Sequence, residues 1–201
     1  MSADLAAALD RLDGEHAQDP RTECDADGTV WPSEQLYARR MLAWLRELYP
    51  GASPALTLAV AAQHMRRWEI PRESYPEGRD GYIRWRTHLK RHQARVTGGI
   101  LDRCAWDGET VTRVTKLVRK QGIKTDPEVQ ALEDVAAVVF LAHEADAFVA
   151  KHPPEKVVRI FQKTWAKMSE TGRAAARALP LSAEVTDRLD RALTETQQPD
   201  G

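Results

Sequence analysis

The segment from Asp126 to Val149 constrains the fold most, because apolar residues cover nearly its whole circumference. Asp126-Pro127 predicts where this helix begins, since aspartate caps helices and proline fits their first turn. A helix that is apolar on every side is stable in water only as a buried, central element. The segment therefore predicts a core built around one central helix.

The remaining segments predict helices as well, because their apolar residues recur at helical spacing and no run alternates strictly. We therefore expect an all-α protein of about seven to nine helices. We divide it into a short N-terminal helix with an acidic loop (1–33), one helical domain (34–196) and a polar tail (197–201). The expected helices run approximately over 5–12, 33–48 (capped by Ser33), 53–68, 81–104, 109–120, 126–149, 157–168 and 185–193.

Length and charge limit the classes of function. A chain of 201 residues can form one sizeable core, and its formal charge of -1 argues against bulk binding of nucleic acid or an anionic membrane. Cys24 and Cys104 form no CxxC pair, and the N-terminus lacks the basic residues of a signal peptide. No stretch approaches the roughly 18 apolar residues of a membrane span. We expect a cytoplasmic protein.

Positive charge and imidazole are concentrated between Leu56 and Cys104. This concentration has two interpretations: a site for an anionic small molecule, or a solvated face with local pairs to acidic neighbours. The histidines are His64, His88 and His92, the cations are Arg66, Arg67, Arg72, Arg79, Arg84, Arg86, Lys90, Arg91 and Arg95, and the acids are Glu69, Glu73, Glu77 and Asp80.

Three residues form a candidate metal site. Helical spacing places His64 and His92 on inward stripes and Asp134 on the buried central helix. Two imidazoles and a carboxylate suit a divalent metal of unspecified identity, which would acidify a bound water into a nucleophile. All three are therefore candidate catalytic residues as well as metal ligands.

A phosphorylated substrate would be held by nearby cations. Arg67, Arg84 and Arg91 are the candidate phosphate ligands, and Trp68 is a further substrate-binding candidate that core packing also explains. His64 and His92 are equally compatible with core histidines. Asp134 is equally compatible with a structural ion pair to Arg67 or Arg91, because a buried carboxylate needs a partner.

The order of these residues resembles the HD-domain phosphohydrolases, an all-helical, metal-dependent superfamily. Its pattern is a histidine, a His-Asp pair on the next helix, and an aspartate on a later helix. The run from Leu58 to Trp68 resembles the helix with the pair, and Asp126 to Asp134 resembles the segment with the last aspartate. The resemblance implies hydrolysis of a phosphorylated small molecule, possibly a nucleotide.

The chain more closely resembles the domain-of-unknown-function family 4202, along most of its length. The resemblance implies an HD-like helical fold and brings no established activity. The matching pieces are LYARRMLAWL (36–45), AAQHMRRWEIPRESYP (61–76), GYIRWRTHLKRH (81–92), KTDPEVQALEDV (124–135) and KTWAKMS (163–169).

The chain departs from the HD pattern at two positions. Met65 follows His64 where the pair has an aspartate, and the preceding helix has no histidine. Either His92 and His88 substitute as ligands, with His92 the better match to the family pattern, or the site has no metal and consists of Arg67, Arg84 and Arg91. The alternative to a hydrolase is therefore a non-catalytic domain that binds an anion, a nucleotide or a partner protein. A di-iron oxygenase of the HD type would need more ligands than this chain offers.

Overall fold

The computed structural model describes residues 4–123 and 125–196, which form two compact units, Met1–Gly122 and Ile123–Gly201. The all-α prediction is confirmed: α-helices dominate both units, and a two-stranded sheet is the other regular structure in the described residues. The predicted tail at 197–201 lies outside the described residues. The boundaries at 33/34 and 196/197 stay a prediction.

The first unit packs around a short apolar helix, α3. Its residues Leu58, Ala59 and Val60 are fully buried, and α3 contacts α1, α2 and α5. Ser53 caps α3 through the backbone N–H of Leu56, as the Ser-Pro sequence predicts. The elements of this unit are α1 (Leu5–His16), β1 (Thr22–Cys24), β2 (Val30–Pro32), α2 (Ser33–Leu48), α3 (Pro54–Ala61), α4 (Gly78–Arg103) and α5 (Gly108–Val118).

A β-hairpin lies where we expected only an acidic loop. β1 and β2 are antiparallel, and Gly28 supplies the left-handed conformation (φ 87°) of their turn. Arg40 of α2 binds Glu23 and Asp25 and so fixes the hairpin on α2. Alternating burial could not reveal β1, because all of its residues are exposed. The proposed Ser33 cap is also wrong, since Pro32 precedes α2 and makes no side-chain cap.

The helix expected to reach Trp68 ends at Ala61. The chain continues as turns, and a single 3₁₀ turn covers Arg67–Glu69. His64 and Arg66 have left-handed backbones, with φ of 63° and 47°, which no α-helix accommodates. No glycine or proline marks this break, so the pattern of apolar residues predicted a longer helix. His64 consequently does not lie on the buried stripe of α3.

The second unit contains the central helix predicted from the sequence. Val129, Leu132, Val135 and Val138 are fully buried, and the Asp126 side chain caps the helix at the N–H of Glu128. A π-helical turn, Phe140–Glu144, joins the first part of this helix to the second. The elements are α6 (Pro127–Val139), α7 (Ala145–Lys151), α8 (Pro154–Trp165), α9 (Glu170–Arg177) and α10 (Ala183–Thr196). Within the described residues, none of the helices has the length and hydrophobicity to cross a bilayer.

Candidate functional site

The central contact of the candidate site joins His64 to Glu34. Nδ1 of His64 lies 3.0 Å from Oε2 of Glu34, which is in the first turn of α2. The Glu34 side chain is 7% exposed, whereas the His64 side chain is 26% exposed. A buried carboxylate therefore orients an imidazole that solvent can reach. This arrangement is the carboxylate–histidine pairing that fixes an imidazole tautomer in many catalytic sites.

Two residues of the preceding loop hold Glu34 in place. Arg21 donates to Oε1 of Glu34 at 2.7 Å and binds both carboxylate oxygens of Asp19, at 3.0 and 2.8 Å. Asp19 also accepts the backbone N–H of Glu34 at 3.1 Å. Glu34 therefore has a donor on each of its two sides, the guanidinium of Arg21 on one and the imidazole of His64 on the other. A carboxylate buried in this way remains ionised because its charge is compensated.

Tyr37 and Arg67 complete the surroundings of His64. Tyr37, one helical turn after Glu34, stacks on the imidazole with ring centroids 4.1 Å apart and planes 10° apart. Nη1 of Arg67 lies 3.1 Å from Nε2 of His64 and donates to it. The same guanidinium lies 5.2 Å above the ring of Trp85 on α4. Arg67 is thus held between an imidazole nitrogen and an aromatic face.

The backbone at His64 is strained, and neighbouring contacts maintain it. A left-handed residue other than glycine costs roughly 1–2 kcal/mol. Met65, between the two left-handed residues, is fully buried. Arg66 binds Glu15 of α1 through Nε and Nη2, at 3.0 and 2.7 Å. Strained backbone maintained in this way is frequent at functional sites.

The tautomer of His64 follows from its partners. Burial raises the pKa of Glu34, but the interaction with His64 and the hydrogen bonds from His64 and Arg21 outweigh burial and lower the pKa to about 2. Burial lowers the pKa of His64 and outweighs the charge and hydrogen bond of Glu34, which raise it, while the charges of Arg67 and Lys120 lower it further. At neutral pH an ionised Glu34 therefore accepts Nδ1–H from a neutral imidazole. The lone pair of Nε2 then faces Arg67 and can accept a proton.

A second histidine, His16, is fully buried in the same unit. Its Nε2–H donates to the carbonyl of Ala61 at 2.9 Å, and its Nδ1 has no hydrogen-bond partner among the described residues. Burial lowers the pKa of His16, although the Ala61 carbonyl and the charge of Glu34 oppose this shift. His16 therefore fixes the end of α1 against the end of α3 in its neutral form.

Stability is expected to fall when the pH is lowered from 7.5 to 5. The pKa values of His16, His64 and His92 are lowered in the folded state, chiefly by burial. In the unfolded chain these histidines have their ordinary pKa of 6.5, so on acidification the unfolded chain takes up protons before the folded protein does. Each such histidine removes at most about 1.4 kcal/mol per pH unit. The lowered pKa of Glu34 extends the loss below pH 4.5. Melting temperatures measured across this range test the direction.

The variant His16→Gln provides the control for this pH dependence. Glutamine can still donate to the Ala61 carbonyl but does not titrate, so we expect a shallower fall in melting temperature between pH 7.5 and 5. A melting temperature that is constant or rises on acidification would show that these histidines are not held neutral in the folded protein.

His92 has a different set of partners from His64. Its Nε2 lies 3.1 Å from Oε2 of Glu69, without the angle of a hydrogen bond, and its Nδ1 lies 3.3 Å from Arg95. The side chain is 10% exposed. The prediction that His92 is on an inward position of α4 is confirmed in part, because it is mostly buried beside the turn that carries Glu69.

Asp134 lies in the second unit and is fully buried. Its Oδ1 accepts from Nε2 of Gln130 at 3.1 Å and from the backbone N–H of Ser169 at 2.8 Å, and its Oδ2 accepts from the Ser169 hydroxyl at 2.5 Å. Ser169 is the N-cap of α9. The buried carboxylate thus has the partners that the sequence required, and these partners connect α6 to the start of α9.

The remaining candidate substrate-binding residues differ from Arg67 in their surroundings. Arg84 and Arg91 are exposed on α4, while Trp68 is partly buried in the 3₁₀ turn with Arg67. Tyr82, in the first turns of α4, is 42% exposed. Trp85 is the buried aromatic residue of this region and donates its indole N–H to the carbonyl of Ile70 at 2.9 Å. Of the predicted cations, Arg67 is the one in contact with His64.

The described residues contain no group of three or more His, Cys, Asp or Glu side chains that could hold a metal ion. Both ring nitrogens of His64 have partners, and three hydrogen bonds reach the carboxylate of Asp134. A metal ion at either residue would have to displace one of these partners. The divalent metal ion stays a prediction.

Sequence reasoning missed the residues that organise His64. Glu34 was not singled out within its predicted helix, and His16, Asp19 and Arg21 fell within the segment expected to be an acidic loop. A single sequence gives no signal that these charges meet, because their contacts cross 13 to 45 residues of chain. Tyr37 was recognised only as part of the inward stripe of α2.

Fold and site together define an all-helical protein with a buried carboxylate, an oriented imidazole and a guanidinium in contact. The chain matches the family model described as a domain of unknown function (DUF4202) over residues 6–188. It therefore belongs to that family. No curated protein and no solved structure matches it.

Proposed function

We propose that this protein hydrolyses a phosphorylated small molecule, possibly a nucleotide, at the His64 site. The observation that carries the proposal is the direct contact of Arg67 with Nε2 of His64, on the side of the ring opposite Glu34. A base and an anion-binding group thus occupy adjacent positions. General-base catalysis and charge neutralisation are the two contributions that phosphate-ester hydrolysis requires from a protein.

The proposed reaction uses His64 as the base. Nε2 accepts a proton from water while the water oxygen attacks phosphorus, and the bond between phosphorus and the leaving oxygen breaks. His64 then returns the proton to the leaving oxygen, which departs as an alcohol. Glu34 holds Nδ1–H and stabilises the imidazolium that forms in between. Because its pKa is about 2, Glu34 stays ionised throughout.

Arg67 is the proposed phosphate ligand. Its guanidinium can donate two parallel hydrogen bonds to phosphate oxygens, and these strengthen as negative charge grows in the transition state. Binding of phosphate would draw Arg67 away from Nε2 of His64 and leave that nitrogen available to water. Lys120 adds positive charge, since it acts on His64 electrostatically.

The proposal also covers the fold type, the cellular location and the remaining candidate substrate-binding residues. We propose an HD-like fold on the motif order quoted above, and a cytoplasmic location on cysteine usage. Arg84, Arg91 and Trp68 would contact substrate parts beyond the phosphate only if the substrate is extended. In the proposed mechanism His64 is the base and Arg67 binds the phosphate. It does not require His64, His92 and Asp134 to act together as metal ligands.

A thermal-shift screen followed by a phosphate-release assay tests the proposal. Phosphate monoesters, nucleotides and sugar phosphates are added to the purified protein, and compounds that raise the melting temperature are assayed for released inorganic phosphate. We expect turnover that persists after chelation, with metal well below one equivalent by elemental analysis. Stoichiometric metal that disappears in both His64→Ala and His92→Ala would instead establish the metal site.

The second candidate function is anion binding without catalysis. The observation in its favour is that Arg67 occupies the lone pair of Nε2 in the structure, as it would in a site that binds an anion and performs no chemistry. Stabilisation by phosphorylated ligands with no phosphate release from any of them would favour this candidate over the hydrolase.

A further inference from the structure

A straight row of three arginines and one histidine runs along the exposed face of α4. Arg84, His88, Arg91 and Arg95 are spaced by four, three and four residues, which places them on one side of a helix over about 16 Å. All four are exposed. The tyrosine hydroxyl of Tyr75 bonds to Nδ1 of His88 and so fixes one position of the row.

The row is not neutralised by its neighbours. Among the residues that the structure describes, Arg84 and Arg91 take part in no hydrogen bond or ion pair. Glu69, which the sequence offered as a local partner, instead binds Arg66 and lies against His92. The expected local pairing therefore does not account for these arginines. Arg91 and Arg95 are like charges one helical turn apart, which is unfavourable by itself, so an external anion explains the row best.

The length and shape of the row indicate the kind of anion. An exposed helix face is convex, whereas sites for small molecules are concave, and one phosphate group cannot span about 16 Å. An acidic protein partner would need apolar contacts as well, because an exposed ion pair contributes only about 0–1 kcal/mol. The four side chains of the row provide none. A phosphodiester backbone needs no apolar contact, since release of its condensed counterions supplies affinity.

We propose that the cationic face of α4 (Arg84, His88, Arg91 and Arg95) binds the phosphodiester backbone of single-stranded nucleic acid. Arginine suits this role because its guanidinium matches phosphate bidentately. The formal charge of -1 on the whole chain does not oppose this binding, because screening confines a charge's influence to about 10 Å. This binding does not depend on the hydrolysis proposed at His64, in which Arg84 and Arg91 would take part only with an extended substrate.

Fluorescence anisotropy with a short labelled oligonucleotide of mixed sequence tests the proposal. The variant Arg84→Gln/Arg91→Gln is compared with Lys163→Gln/Lys167→Gln, which removes the same charge from exposed positions in the second unit. We expect the first variant to bind roughly tenfold more weakly at moderate salt. The slope of the logarithm of its binding constant against the logarithm of the salt concentration should be smaller in magnitude by about 1.4. The control should bind like the unmodified protein.

The variant His64→Gln separates this proposal from the hydrolase. If it binds the oligonucleotide normally while phosphate release is lost, the two proposals stand independently. Equal loss in the α4 variant and the lysine control would overturn the cationic face as a specific surface. Failure of the unmodified protein to bind the oligonucleotide, or tighter binding of polyglutamate than of the oligonucleotide, would also overturn it.

Discussion

The variant His64→Gln is expected to lower kcat for phosphate-ester hydrolysis by about a hundred- to ten-thousand-fold. Glutamine keeps a polar group beside Glu34 but cannot accept a proton from water. Because the substrate would still contact Arg67, KM should change much less than kcat. Steady-state phosphate release measures both parameters. The matched control is His143→Gln, which changes an exposed histidine in the second unit and should leave kcat unchanged.

Replacement of Glu34 tests how His64 is oriented. In Glu34→Gln the amide can donate to Nδ1 of His64, which would move the imidazole proton to Nε2 and abolish the base. We expect a loss of kcat of the same order as in His64→Gln, with the fold retained by circular dichroism. A fully active Glu34→Gln variant would show that the carboxylate does not position the imidazole.

The variant Asp134→Ala is expected to lower the free energy of unfolding by about 3–5 kcal/mol. It removes three hydrogen bonds, two from the N-cap Ser169 and one from the half-buried amide of Gln130, which keeps the carbonyl of Lys167 as an acceptor. The site is also tightly packed, since a Cβ added at Gly172 would lie 2.6 Å from Oδ1 of Asp134. Urea denaturation measures the loss.

The comparison for Asp134 is Glu170→Ala, which removes an exposed pair with Arg177 and should change stability by less than about 0.5 kcal/mol. If Asp134→Ala retained full stability and lost activity, Asp134 would be a catalytic or metal-binding residue as the sequence first suggested. Loss of stability with normal kcat in the remaining folded protein would establish its structural role.

The helices were predictable where burial is continuous. The central helix from Asp126 onward has buried residues on all sides, and its cap is a local Asp-Pro signal, so both appear in the sequence. The break after Ala61 was not predictable. His64 and Arg66 adopt left-handed backbones because Glu34 and Glu15 bind their side chains, and those contacts exist only in the folded unit.

The site was predictable only in part, for the same reason. His64 and Arg67 are three residues apart, so a local turn brings them together, and both were candidates. Glu34 is 30 residues from His64 in the chain, and nothing in one sequence marks that contact. Asp134 was correctly expected to need partners, and a serine hydroxyl, a backbone amide and the Gln130 side chain are among them.

Nitrogen NMR of the histidine side chains, with and without a phosphorylated ligand, tests the central claim most directly. The ligand is the phosphate ester that gives the largest thermal stabilisation, and the His64 signal is assigned from its absence in His64→Gln. At neutral pH the account predicts a neutral His64 with its proton on Nδ1, and an Nε2 resonance that moves on ligand addition while His143 does not. A ligand that stabilises the protein and leaves the Nε2 resonance of His64 unmoved would contradict the account.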